Sequence, residues 1–211
     1  GKRLRSNDAY TPEGKAGFRP DRATTVYSTI LKELFPDVPV VIGGIEASQR
    51  RITHYDYWDD TLHPSILVDT KADFLTYGMA ERAMVALAKG MQEGKKPEEL
   101  QQIPQIAYLS NDVNAPVDIE LASHQACLAS KKVQAQNFKI FEEESNRYQS
   151  DNRLGQVVGN QKVIINPPYP IISTPELDAL YSLPYTRQPH PRYKGKTIPA
   201  YDMIKFSVTM H

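Results

Sequence analysis

A single cysteine, Cys127, stands among 211 residues, so the chain can form neither an internal disulfide nor an all-cysteine metal site of its own. Net charge is also lacking: 25 lysines and arginines balance 25 aspartates and glutamates. A broad basic footprint for nucleic acid is therefore absent, although a neutral total leaves room for a local patch. No apolar run approaches the length of a membrane-spanning helix, and no charged-then-apolar segment opens the chain. A membrane partner is thus not expected, and the cytoplasm is the expected compartment. Neither the P-loop pattern nor G-x-G-x-x-G occurs. The chain opens at Gly1 without a methionine and stops at Val208–His211 inside an apolar run, so it reads as a piece of something longer.

The strongest local signal is Val38-Pro-Val-Val-Ile-Gly-Gly-Ile-Glu-Ala-Ser48. Val38, Val40, Val41 and Ile42 form a short continuous apolar run, the pattern of a strand buried on both faces of a parallel α/β sheet. Gly43 and Gly44 end it, and glycine there admits positive φ or the close approach of another group. Ligands of open α/β sheets bind beyond the carboxyl ends of strands. A plain strand-to-loop turn fits the same residues. Ahead of this strand, Pro20-Asp21 opens an expected helix with an apolar face of Val26, Tyr27, Ile30, Leu31 and Leu34. Residues 1–19, carrying Lys2, Arg3, Arg5, Lys15 and Arg19, read as a loop, either a solvated arm or a holder of an anion.

Glu46 to Asp60 reads as the chemically richest loop, with His54, Asp56, Asp59 and Asp60 beside Tyr55, Tyr57 and the only tryptophan, Trp58. The His54/Asp56 spacing matches no metal-ligand motif. Aromatics beside Arg50 and Arg51 suit a stacking cluster, serving either packing or contact with a substrate or cofactor. Ala72–Gly78 reads as a second glycine-ended strand, followed by a helix from Glu81 to Met91 that Gly94 terminates. Glu81 is placed either to reach a ligand or to complement the helix dipole. This alternation predicts a parallel sheet with crossover helices. Residues 95–104 form a charged helix and turn, Ile106–Leu109 a short strand, and about 123–149 one long polar helix in which Cys127 is a small packing residue. Val157–Ile165 suggests a hairpin around Gly159-Asn160. A proline-rich stretch begins at Asn166, with a short helix capped by Thr174 and an extended segment from Leu183 to Tyr193. Met203–Val208 reads as the first strand of a following domain.

Several segments together resemble one family. Arg5-Ser-Asn-Asp-Ala-Tyr-Thr-Pro12, Gly14-Lys-Ala-Gly17, Arg19-Pro-Asp-Arg22, Ile42-Gly-Gly-Ile-Glu-Ala-Ser48 and His54-Tyr-Asp-Tyr-Trp58 look like the N-terminal region of YgiQ-type radical S-adenosylmethionine proteins. Leu183-Pro-Tyr-Thr-Arg187, His190-Pro191 and Ile198-Pro-Ala-Tyr-Asp-Met-Ile-Lys-Phe-Ser207 do too. The resemblance covers nearly the whole chain and is weakest over 95–150. It implies that a Cys-x3-Cys-x2-Cys triad follows soon after Ser207, ligating three irons of a [4Fe–4S] cluster whose fourth iron takes S-adenosylmethionine. Because the chain ends before that triad, no catalytic residue and no metal ligand is assigned within it, and alone it is expected to be inactive. The glycine-ended strands also look similar to a cobalamin-binding-type domain, but the Asp-x-His-x-x-Gly cobalt motif does not occur, which leaves cobalamin an open alternative.

The expected fold is α/β, a partial Rossmann-like (cobalamin-binding-type) parallel sheet with flanking helices and an extended proline-rich linker. The expected division is 1–110 for that sheet, 111–165 for a helical and hairpin extension, and 166–211 for the linker leading into a radical S-adenosylmethionine barrel. The resemblance implies an accessory domain that shapes the substrate pocket of the downstream barrel, acting on an unknown small-molecule or macromolecular substrate. Gly43, Gly44, Glu46 and Ser48 are the candidate cofactor-side residues, and His54, Tyr55, Tyr57, His190 and Tyr193 the candidate substrate-pocket residues. Two rival readings stand beside it: a stand-alone corrinoid- or nucleotide-binding module, and an interaction domain docking through the Tyr/Trp loop.

Overall fold

The computed structural model describes residues 7–207. Lys2, Arg3 and Arg5 of the basic loop, and Val208 of the expected last strand, lie outside the described residues. The chain forms two compact units, Thr24–Ile171 and a second that joins the residues before Thr24 to those from Ile172 onward.

In chain order the larger unit contains α1 (Ala23–Leu34), β1 (Val41–Ile42), α2 (Gly44–Ser48), β2 (His54–Asp56), β3 (Thr61–His63), α3 (Ile66–Thr70), β4 (Phe74–Thr76), α4 (Glu81–Gln92), α5 (Pro97–Leu100) and β5 (Ile106–Ser110). It continues with β6 (Ile119–Leu121), α6 (His124–Ala129), α7 (Lys131–Ser145), β7 (Leu154–Val158) and β8 (Gln161–Ile165). Six strands form one sheet in the order β1-β4-β5-β8-β7-β6, and β2 and β3 form a separate hairpin.

The α/β class and the helix-crossed parallel pairing are present: β1 runs parallel to β4, and β6 parallel to β7. Three antiparallel pairings, β4/β5, β5/β8 and β7/β8, join these two pairs, so the whole sheet is mixed. The reason lies in the hairpin. Gly159, at φ +61°, allows a two-residue connection, and such a connection joins only antiparallel strands. The hairpin is an integral part of the central sheet.

Both faces of that sheet are covered. Leu75, Ala107, Val163 and Ile165 face one core, shared with Ala47, Ile52, Ile66 and Leu67 from around α2 and α3. Phe74, Ile106, Tyr108 and Ile164 face the other, shared with Ala83 and Leu87 of α4 and Leu100 of α5. Alternate residues of one strand thus enter opposite cores, which is why the central strands read as continuous apolar runs. Gly155 has a packing reason: a Cβ there would stand 2.5 Å from the Lys162 side chain, which crosses it to reach Glu120.

Several elements depart from expectation. The helix starts at Ala23 rather than Pro20, because Glu46 supplies the acceptor for the Thr24 amide and hydroxyl at 3.2 and 2.9 Å. The apolar face of α1 is exposed: Val26, Tyr27, Ile30, Leu31 and Leu34 lie on the surface, with Ser28 buried instead. The loop expected over Glu46–Asp60 contains the end of α2 and the first strand of the β2/β3 hairpin. The single long helix expected over 123–149 is two, broken at Ser130, whose extended backbone (φ −149°, ψ 114°) lets its hydroxyl accept from Val133 N and cap α7.

In the smaller unit, Asn7 bridges Lys15, and Pro12–Gly14 makes one 3-10 turn. Arg19 forks onto buried Asp8 at 2.7 and 2.8 Å, and Lys15 pairs with Glu13, so the described part of the basic loop is internally neutralised. The helix α8 (Thr174–Tyr181) is capped by Ser173 rather than Thr174, because Ser173 forms a reciprocal capping box with Glu176. A 3-10 turn follows at Pro191–Tyr193, and α9 (Pro199–Ile204) closes the unit. Met203–Ser207 is therefore helix and turn, not strand. Pro199 favours a helical first turn, and Asp202 N donates back to Ile198 O at 3.1 Å.

Leu75 is fully buried in the sheet's first core, so Leu75→Ala is expected to lower stability by about 2–5 kcal/mol, read as a fall in the urea midpoint at unchanged slope.

Candidate functional site

Parallel β1 and β4 end side by side, and the candidate residues follow from β1. Gly43 is extended (φ −168°) and packs so closely on β4 that a Cβ would stand 2.8 Å from Thr76 Oγ1. Gly44 then takes φ +80°, a conformation glycine adopts without strain, and opens α2. On α2, Glu46 is engaged on two sides: Oε2 accepts from Thr24, and Oε1 accepts from Arg50 Nη1 at 3.2 Å. Arg50 also places Nη2 4.0 Å from buried Asp56 on β2. One guanidinium thus links the strand-end helix to the hairpin. Ser48 contributes its carbonyl, which accepts from Arg51 Nε at 2.7 Å.

On the hairpin, His54 and His63 face each other in register, with ring centroids 6.0 Å apart. His54 Nδ1 lies 3.1 Å from Ile52 O. A carbonyl only accepts, so Nδ1 carries the proton and Nε2 is left as an acceptor. Burial pushes the imidazole down to about 4, so His54 is neutral near pH 7. Tyr55 donates to Asp60 at 2.5 Å, and that bond raises its pKa. Tyr57 stacks on Trp58 at 5.2 Å, and both tyrosines are exposed. His190 and Tyr193 belong to the other unit. They meet edge-to-face at 6.3 Å and line a cavity of about 420 Å³ with Gln188, Lys194, Lys196 and Tyr201.

The structure therefore links Glu46, Ser48 and His54 to Arg50 and Arg51, leaves Gly43 and Gly44 at the end of β1 beside β4, exposes Tyr55 and Tyr57, and gathers His190 and Tyr193 in the other unit. Sequence reasoning missed a buried polar cluster behind the hairpin. Gln156 Oε1 accepts from Thr53 N and Oγ1 at 2.8 and 3.0 Å, and Thr53 Oγ1 stands 2.9 Å from His124 Nδ1. Asn137 Nδ2 donates to Ala122 O at 2.8 Å and to Cys127 Sγ at 3.1 Å. Ser123, which accepts from Ala126 N, was the one legible signal, marking the start of α6. Burial raises the Cys127 thiol and lowers the His124 imidazole, so both stay neutral and the cluster is structural in its chemistry. Among the described residues no three His, Cys, Asp or Glu side chains converge as a metal-binding group, and no helix is long and apolar enough to cross a membrane.

A sequence profile described as Radical SAM N-terminal matches residues 1–207, and the chain belongs to that family. It is similar to UPF0313 proteins of Bacteroides thetaiotaomicron (54% identical over 224 residues, 100% of this chain and 36% of the relative) and Porphyromonas gingivalis (53% over 214 residues, 100% and 34%). It is also similar to one from Rhodopseudomonas palustris (41% over 230 residues, 99% and 34%). The chain spans about a third of the length of these curated relatives. No solved structure matches it.

His54 gives a pH signature. Its pKa falls from 6.5 unfolded to about 4 folded, so the unfolded chain binds the extra proton between those values. Stability is then complete above pH 6.5 and declines as pH falls toward 4, by about 1–3 kcal/mol from this residue. His124, shifted the same way, adds to the slope. Urea unfolding across that range should show His54→Gln losing less stability on acidification than the parent.

Proposed function

We propose that the chain is the accessory, substrate-shaping region of a radical S-adenosylmethionine enzyme, whose [4Fe–4S] cluster and S-adenosylmethionine are held by the remainder of the full-length protein. The family membership supports this, as does the length of the relatives, about three times that of the chain. The donor set present here does not fit a cluster: iron–sulfur clusters need several thiolates, and the one cysteine is buried as a neutral thiol beside Asn137. No step of the chemistry is therefore assigned to these residues.

The observation that carries the accessory role is the uncovered face of α1. Val26, Tyr27, Ile30, Leu31 and Leu34 are exposed, as are Phe35, Val38 and Ile45 nearby in the chain. An amphipathic helix is stabilised by burying such a stripe. The remaining two thirds of the full-length protein is the occupant that accounts for it. In this reading Gly43, Gly44, Glu46 and Ser48 sit on the cofactor side, His54, Tyr55 and Tyr57 are the larger unit's candidate substrate contacts, and His190 and Tyr193 are those of the smaller unit.

Two measurements on the full-length protein test the proposal. Anaerobically purified protein should contain about four irons per chain and, when reduced, give an electron paramagnetic resonance signal that shifts with S-adenosylmethionine. No iron and no shift would remove the radical-enzyme reading. Ile30→Asp should cost about 2 kcal/mol or more if the face is covered, against no more than about 0.5 kcal/mol for a free surface position. The small value would leave the family intact but defeat the docking of α1.

A further inference from the structure

Arg51 stands beside Arg50 in sequence and is solved differently. Its guanidinium carbon lies 4.1 Å from the Tyr77 ring centroid and 4.7 Å from that of Phe141. Among the described residues, Nε alone has an acceptor, Ser48 O. No acceptor among them meets the terminal nitrogens, and no carboxylate stands within 4.0 Å. Burial drives the Arg51 pKa down, and Tyr77 and Glu142 offset this only in part. A cation so placed normally has a counter-charge, because desolvating it without one is unfavourable.

Arg51 lines a cavity of about 290 Å³ with Tyr77, Gln105, Phe141, Glu144 and Asn166. Glu144 is already satisfied: Arg147 meets Oε1 at 2.9 Å, and Ser150 and Asn152 donate to Oε2 at 2.8 and 3.0 Å. That leaves the Arg51 charge only partly offset, by Glu142, with its terminal nitrogens unpaired among the described residues. Asn166 is buried, and its Nδ2 is committed to Gln101 O and Ile103 O, both at 2.7 Å. Its Oδ1 is sealed from solvent without a partner, so Asn166 serves as packed wall. The Tyr77 hydroxyl is spent on Asn166 O. The wall is preorganised by Gln105, which holds a left-handed backbone (φ +64°) while its amide donates to Tyr77 O and Met79 O and accepts from Tyr169 N. A strained non-glycine residue persists only where its surroundings fix it. Tyr77 directly follows β4, so the cavity opens at the carboxyl end of the parallel pair, where α/β sheets take ligands.

We propose that this cavity binds a small carboxylate, gripped by the unpaired terminal nitrogens of Arg51. A carboxylate matches the guanidinium fork in shape and its single charge in sign. A phosphate dianion would place excess negative charge beside Glu144. The volume suits a ligand of a few heavy atoms, since pockets for drug-sized ligands start at about 300 Å³. The assignment concerns the Thr24–Ile171 unit and stands whether or not the full-length protein carries a cluster.

The test uses the full-length protein, titrated calorimetrically with L-lactate, L-serine, acetate and inorganic phosphate. At least one of the three carboxylates should bind saturably and more tightly than phosphate. Arg51→Lys, which keeps the charge but loses the fork, should weaken that binding about tenfold or more. On the unaltered protein, the bound acid should shield Arg51 from phenylglyoxal, read by peptide mass spectrometry, so the result does not depend on how the variant folds. Heat from none of the acids, tighter binding of phosphate, or binding that leaves Arg51 fully reactive would overturn the assignment.

Discussion

Strand β8 is the constraint on which the rest of the larger unit depends. It lies between β5 and β7, sends Val163 and Ile165 into one core and Ile164 into the other, and couples the two parallel pairs. Each parallel pair alone is two or three residues wide in register and too short to stand in water. Antiparallel pairing through β5 and β8 makes them one sheet with both faces buried. The same strand ends at Ile165, so Asn166 leaves it beside the carboxyl end of β4. The cavity at Arg51 thus follows from strand order before any side chain is considered.

Much of this was legible. The apolar runs, the glycine stops and the Gly159-Asn160 turn located β1, β4, β5, α4 and the hairpin within a few residues. Their partners were not legible, because a hairpin's apolar pattern does not say which sheet it joins. Strand β6, three residues long, exists only through its pairing with β7 and has no periodicity of its own. The break at Ser130 illustrates a different loss. The stretch is mostly polar with sparse apolar contacts on either side, so nothing but a serine at the capping position of a second helix marked the break. At the other end, Ile204, Phe206 and Val208 alternate like a strand, yet Pro199 already sets a helical turn ahead of them.

The candidate site was legible in chemistry but not in partnership. Sequence showed that residues 43–57 concentrate glycine, carboxylate, histidine and aromatic groups, and three of its predicted members, Glu46, Ser48 and His54, do surround Arg50 and Arg51. It could not show that Glu46 also holds the first turn of α1, or that the histidines pair across a hairpin. The Arg51 cavity was invisible because its lining comes from segments around positions 51, 77, 105, 141 and 166, which no local pattern connects.

Adjacent arginines make the underlying physics plain. Arg50 meets Glu46 and Asp56, so its charge is cancelled within the fold and its role is to fasten α2 to the hairpin. Arg51 meets two aromatic rings and a carbonyl, which hold it in place without cancelling its charge. Cation–π contact contributes about 0.5–2 kcal/mol, too little to offset the desolvation of an unpaired guanidinium. Glu142 offsets the charge of Arg51 only in part. What the arginine adds is a fixed, directional attraction for an anion at the carboxyl ends of β1 and β4, and that attraction is the property the fold has been arranged to keep.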